Sequence, residues 1–339
     1  MKKTLTKTKI RTRLLLLVGA ALIIAGGIAY AIVSNVACRS LTLKTCVEQG
    51  INYGTVYCSI CNPGDCTTNC KNLIAANKPD VLCERSQPYA TLPQKFSFSG
   101  IDWYKKEKTD GGKLLALGPG PNYFDSKNVI LASDGLHLKI NNTGSQWTSA
   151  ELVSSRCFKY GTFVFQVNPK LTNGATIDKL DPNIVLGLFT YPEPRQGDVG
   201  ELDGLHEIDV ELANFEKDSK GNFYNLNYTV YPNSFSQPLK TKPLKFTLAD
   251  QTSPVSFQII WTSINVSFSA SQNNKLLSQW SCSTTETKNP DAKCNVSTRS
   301  QPVRMNFWLR GGAAPINKQA AEIVIRNFNY TPYTVPIRY

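Results

Sequence analysis

Glu207-Ile208-Asp209-Val210-Glu211 alternates acidic and apolar side chains, and Leu212 continues the apolar phase. Period two is the repeat of a β-strand whose two faces meet different surroundings. Ile208, Val210 and Leu212 are therefore expected in a core, with Glu207, Asp209 and Glu211 in line on the opposite face. Like charges side by side on a sheet repel. A row of this kind points to use, and the chemistry that needs paired carboxylates and no other special group is glycoside hydrolysis. Positions i and i+4 on a strand lie roughly 13 Å apart at Cα. The two carboxyl groups of a retaining glycosidase must approach to about 5–5.5 Å, against about 6.5–9.5 Å in an inverting one. On a concave sheet the side chains lean together and can close that gap. For five residues alone, the competing readings are a solvated strand face and a cluster of calcium-binding carboxylates.

The surrounding chain reads as short strands and turns. Gly161–Val167 and Val255–Trp261 are β-branched and aromatic, and of strand length. Asp110-Gly111-Gly112, Asp134-Gly135, Asn173-Gly174 and Asp203-Gly204 mark turns. No long helical pattern appears beyond the N-terminus. Many short strands with frequent turn signals predict an all-β sandwich, and a single domain of about 240 residues is ordinary for that class.

The N-terminal third differs. Of 339 residues, 41% are hydrophobic, and the net charge is +12. Lys2, Lys3, Lys7, Lys9, Arg11 and Arg13 carry half of that excess with no acid among them, so the basic balance argues for targeting rather than for nucleic acid. Leu14 to Val33 is free of charge and long enough to span a bilayer. Residues 1–35 are read as a signal peptide or a signal anchor. Either places the remainder outside the cytoplasm, secreted or held at the cell surface by that helix. Cys38, Cys46, Cys58, Cys61, Cys66, Cys70 and Cys83 crowd residues 36–84 among Gly, Pro, Asn and Thr. So polar a segment needs cross-links to fold, and in an oxidising compartment these are disulfides. An odd number leaves one cysteine for a partner elsewhere: Cys157 is the candidate, since Cys282 and Cys294 are near enough to pair with each other. Residues 85–94 read as a linker and 95–339 as the main domain.

Several stretches share a resemblance. Glu207-Ile208-Asp209-Val210-Glu211 is similar to the E-x-D-x-E signature of family 16 glycoside hydrolases, in the form found in lichenases and xyloglucan transglycosylases. Leu186–Tyr191 resembles the strand before the acids, Asn225–Tyr228 the Asn-Tyr strand after them, and Met305-Asn306-Phe307-Trp308 a later M-N-x-W strand. Trp103-Tyr104-Lys105 and Asp134–Leu138 resemble the opening strands. The resemblance runs from about Lys95 to the C-terminus. It implies a β-jelly-roll with a concave substrate cleft and a retaining double displacement. Glu207 would be the nucleophile, Asp209 its assistant and Glu211 the acid/base. Asn227, Asn306, Trp308, Tyr191 and Glu151 would bind substrate. There are two departures. An Arg that the family often carries two residues after a Glu is Val153 here, following Glu151. An Asp that ligates calcium on the last strand is matched by Val324.

No metal or cofactor is expected, because His137 and His206 are the only histidines and stand apart. The expectation is a monomeric endo-β-glucanase acting on β-1,3-1,4- or β-1,3-glucan. A cell-wall transglycosylase of the same fold and a non-catalytic glucan-binding lectin are the alternatives.

Overall fold

A computed structural model describes residues 95–192, 204–214, 217, 220–221 and 223–333. The segment read as a signal or anchor, the Cys-rich module and the linker lie outside the described residues. Those described fall in one compact unit, and no helix among them is long and apolar enough to cross a membrane.

Twenty strands follow one another along this unit. The first ten are β1 (Lys95–Phe98), β2 (Ile101–Lys105), β3 (Thr109–Asp110), β4 (Lys113–Leu114), β5 (Ala116–Leu117), β6 (Asn122–Tyr123), β7 (Val129–Ala132), β8 (Gly135–Asn142), β9 (Trp147–Thr148) and β10 (Ala150–Phe158). The rest are β11 (Gly161–Val167), β12 (Ile184–Thr190), β13 (Ile208–Ala213), β14 (Leu226–Val230), β15 (Lys240–Leu244), β16 (Val255–Trp261), β17 (Asn265–Gln272), β18 (Lys275–Ser283), β19 (Gln301–Leu309) and β20 (Ala321–Pro332).

Two antiparallel sheets stack into a sandwich. The first runs β1-β2-β10-β19-β12-β13-β14-β15 and the second β18-β17-β16-β11-β20-β8-β7, with β9 paired to β8. Strands adjacent in space are often far apart in sequence, as a jelly-roll requires. Between the sheets lies one hydrophobic core. Leu186 and Leu188 of β12, Ile208, Val210 and Leu212 of β13, and Met305 and Phe307 of β19 enter it from the first sheet. Phe163 and Phe165 of β11 and Phe257, Ile259 and Trp261 of β16 enter it from the second. Trp103 and Trp261 are fully buried, and each indole N–H donates to a backbone carbonyl, of Phe98 and Ser297 respectively, at 3.0 Å.

The two sheets use their outer faces differently. In β11 and β16 buried and half-buried residues alternate without exception, as in a sheet with one face to solvent. In β12 every residue is buried, and in β19 all but Trp308. The middle of the first sheet is therefore recessed on its outer face as well. Turn chemistry follows the sequence: Gly111 and Gly112 both have positive φ in the two-residue hairpin between Asp110 and Lys113. Cys282 is disulfide-bonded to Cys294, and Cys157 is disulfide-bonded as well.

Candidate active site

Opposed residues in an antiparallel sheet share a face, so the register shows what surrounds the acids. Glu211 stands between Asn227 of β14 and Gly187 of β12; Gly187 is opposite Asn306 of β19, and Asn306 opposite Glu151 of β10. The next row on the same face is Thr229, Asp209, Phe189, Arg304, Val153 and Tyr104. A further row brings Ala213, Val185 and Trp308 together. Glu207 lies one residue ahead of β13, and its carbonyl accepts from the Tyr231 N–H at 2.9 Å, which continues the pairing with the chain that follows β14.

The floor so formed is polar and shielded. Asp209, Asn227 and Asn306 are 3–4% exposed. A buried polar atom without a partner costs free energy, yet Asp209 Oδ1, Asn227 Oδ1, Asn306 Oδ1 and Trp308 Nε1 have none. They lie on β14, β13 and β19, with β12 between the last two, and face the same side. Four such atoms share one face of the sheet. Gly187 makes room for this: a Cβ there would stand 2.3 Å from Asn306 Oδ1. Only glycine lets the Asn306 amide lie across β12 toward Glu211.

The acids act on one another. Burial pushes the Asp209 carboxyl well above the usual carboxylate range, and the charges of Glu207 and Glu211 and a hydrogen bond with Glu207 push the same way. Asp209 thus lies between two half-buried glutamates with its protonated form favoured, the form that donates toward Glu207. A proton on Asp209 weakens the repulsion that the sequence row implied.

Glu151 sits on the same face at 1% exposure, with each carboxylate oxygen taken by a cation: Lys106 Nζ at 2.8 Å and Arg304 Nη1 at 2.8 Å. The Arg304 guanidinium also lies 5.0 Å from the Tyr191 ring centre, which ties Tyr191 to the floor. Val153 occupies the position where the family resemblance calls for arginine, and Arg304 is its directly opposed neighbour. The cation is supplied from the next strand. Alternation with Asn306 and Trp308 marks Arg304 in the sequence, whereas Lys106 carries no local signal. Tyr228 points into the core, fully buried, with Asn227 on the opposite face. His206 has positive φ and holds the entry to β13: its N–H donates to Pro232 O at 2.8 Å and its carbonyl accepts from Gln301 Nε2 at 2.7 Å. Among the described residues no group of three or more His, Cys, Asp or Glu is arranged to hold a metal.

Fold and site together define a β-sandwich with an acid-lined floor of buried, unpaired polar atoms on one sheet. No family model matches the chain, and no curated protein matches it. Solved structures similar to it are β-1,3-1,4-glucanases and β-1,3-glucanases of the family 16 jelly-roll fold, at low identity. A prokaryotic lichenase derived from a mouse hindgut metagenome is 18% identical, with 70% of this chain and 96% of that one covered and a TM-score of 0.45. A β-glucanase of Bacillus licheniformis is 16% identical over 70% and 95%, TM-score 0.45. An immunostimulatory antigen and pseudo β-1,3-glucanase of Mycobacterium tuberculosis is 14% identical over 71% and 92%, TM-score 0.46.

Proposed function

We propose that the chain is a retaining, endo-acting glycoside hydrolase that cleaves β-glucan. The observation that carries the reading is the buried Asp209 between Glu207 and Glu211, its carboxyl pushed upward by burial and by both neighbours, on a floor whose Asn227, Asn306 and Trp308 offer unpaired polar atoms. Glu207 attacks the anomeric carbon, and the bond to the leaving oxygen breaks as Glu211 delivers its proton. The resulting glycosyl-enzyme is opened by water, whose proton returns to Glu211. Asp209 donates a hydrogen bond to Glu207 and so lowers its basicity where a good leaving carboxylate is needed in the second step. The Cys282–Cys294 disulfide suits an oxidising compartment, which supports action outside the cytoplasm on an extracellular polymer.

The test is a reducing-end assay on β-1,3-, β-1,4- and mixed-linkage glucans. Glu207→Gln should fold as the parent does and show no turnover. Glu211→Gln should lose about 10²–10⁴-fold, the share of a general acid/base. Turnover that survives Glu207→Gln would refute the assignment. Product lengths with a labelled acceptor sugar separate hydrolysis from transfer to a second glycan.

A further inference from the structure

A cavity of about 520 Å³ opens at the edge of the sandwich, between β15, β17, β18 and the single turn Pro290–Ala292. Its lining includes Lys242, Ser267, Gln279, Trp280, Asn289 and Asp291, none of which belongs to the acidic floor. The volume is within the ~300–1,000 Å³ of small-ligand sites.

The aromatic wall is the end of a rigid stack. Tyr228 and Phe268 lie 4.8 Å apart with 16° between their planes, and Phe268 and Trp280 follow at 5.7 Å and 15°. Tyr228 and Phe268 are core residues, 0% and 2% exposed. The Tyr228 hydroxyl is held by Ser278 Oγ at 2.7 Å. Phe268 covers one indole face of Trp280, and Trp280 lines the cavity. An indole fixed from behind and offered to a wet cavity loses little entropy on binding, unlike a mobile surface ring.

The polar wall is equally fixed. Asn289 Oδ1 accepts from the Asp291 N–H at 3.0 Å, Lys240 Nζ donates to Pro290 O at 2.8 Å, and Cys282–Cys294 ties β18 to the segment after the turn. Lys242, Gln279 and Asp291 turn their charged and amide heads to no hydrogen bond or ion pair among the described residues. One cation and one anion leave the lining neutral, which disfavours a phosphate or a polyanion. Donors and acceptors are mixed, so an apolar peptide would leave them unpaired. A pyranose meets both demands: its C–H face stacks on the indole, and its hydroxyls both donate and accept.

We propose that this cavity is a second, non-catalytic saccharide site that takes a short stretch of neutral polysaccharide. The identity of the polymer as β-glucan rests on the function proposed above; the saccharide chemistry of the cavity does not. Holding one part of a polymer here raises the local concentration of the rest at the acidic floor.

The experiment uses the full chain carrying Glu207→Gln, so that binding is read without cleavage. Retention is measured on insoluble β-1,3-glucan by sedimentation and in gels containing soluble mixed-linkage glucan. Adding Trp280→Ala should weaken retention on both at least about fivefold. In the parent, Trp280→Ala should leave kcat/KM on a short soluble oligosaccharide within about twofold, because such a substrate fills only the acidic floor. The double change Gln279→Ala with Asp291→Ala alters exposed side chains alone and should weaken retention in the same direction if Trp280→Ala fails to fold. Retention unchanged in the folded variants overturns the proposal. Retention that depends on Trp280 in a protein without turnover on any glucan upholds this site and removes the hydrolase reading. Turnover with retention indifferent to Trp280 does the reverse.

Discussion

At the scale of single residues, Asp209 ties stability to pH. Its pKa in the folded chain is raised above the ordinary carboxylate value near 3.8 by burial and by its acidic neighbours. A raised folded pKa stabilises below the unfolded pKa, and that stability is lost as pH rises toward the folded pKa. Above about pH 4 the parent should therefore lose thermal stability that Asp209→Asn does not lose. Melting curves from pH 4 to 8 should show the gap widening with pH in favour of the variant, while its turnover falls. A gap that stays constant would show that Asp209 is not held protonated. Gly187 is the second such residue. In Gly187→Ala the new Cβ displaces the Asn306 amide, because the approach is 2.3 Å to Oδ1. The obstacle is the end of a side chain, so the fold should survive. The loss of one substrate hydrogen bond, about 0.5–1.5 kcal/mol, should lower kcat/KM up to about tenfold with little change in melting temperature. The acids were legible as a pattern because alternation is a local property. Gly187 was legible as a letter without a role, since its role exists only once β19 lies beside β12.

At the scale of elements, β12 and β19 depart from the alternation that β11 and β16 obey. Their outer faces, which carry the candidate acidic floor, are buried as well as their inner ones. Sequence shows Leu186-Gly187-Leu188-Phe189 as an apolar run, and such a run does not distinguish a strand under a helix from a strand under a recessed floor. On the opposite sheet, β8 and β20 are clasped by His137, whose ring nitrogens meet Asp134 at 2.7 Å and Glu322, with Lys139 on the other Glu322 oxygen at 2.9 Å. Burial disfavours the charged ring, but hydrogen bonds to the two carboxylates outweigh it and raise the pKa above the ordinary 6.5. The stability this contributes is complete below about pH 6.5 and is lost as pH rises through the folded pKa. The parent should lose melting temperature as pH rises above about 6.5, and His137→Gln should flatten that step. An unaltered step would assign it to another group. The pairing of His137 with Glu322 follows from register, Glu322 being opposite Lys139, and no spacing along the chain announces it.

At the scale of the whole molecule, one core joins the sheets, and its large side chains come from strands far apart in sequence. Phe307 is fully buried there while its neighbours Asn306 and Trp308 line the floor. Phe307→Ala should cost about 3–5 kcal/mol and lower the urea midpoint with little change in slope. A change below about 1 kcal/mol would mean that the two sheets do not share this core.

By itself the sequence determined which residues turn inward and which outward, because period two is written into consecutive positions: Ile208, Val210 and Leu212 against Asp209 and Glu211. It determined the glycine turns, because glycine accepts a positive φ without strain, whereas the Asn273-Asn274 turn also takes positive φ. The tertiary structure decided which outward residues become neighbours. Arg304 beside Val153, the Asn306 amide over Gly187, and an Asp209 carboxyl shielded from water all depend on strand order, and strand order depends on pairings made between segments that lie far apart along the chain.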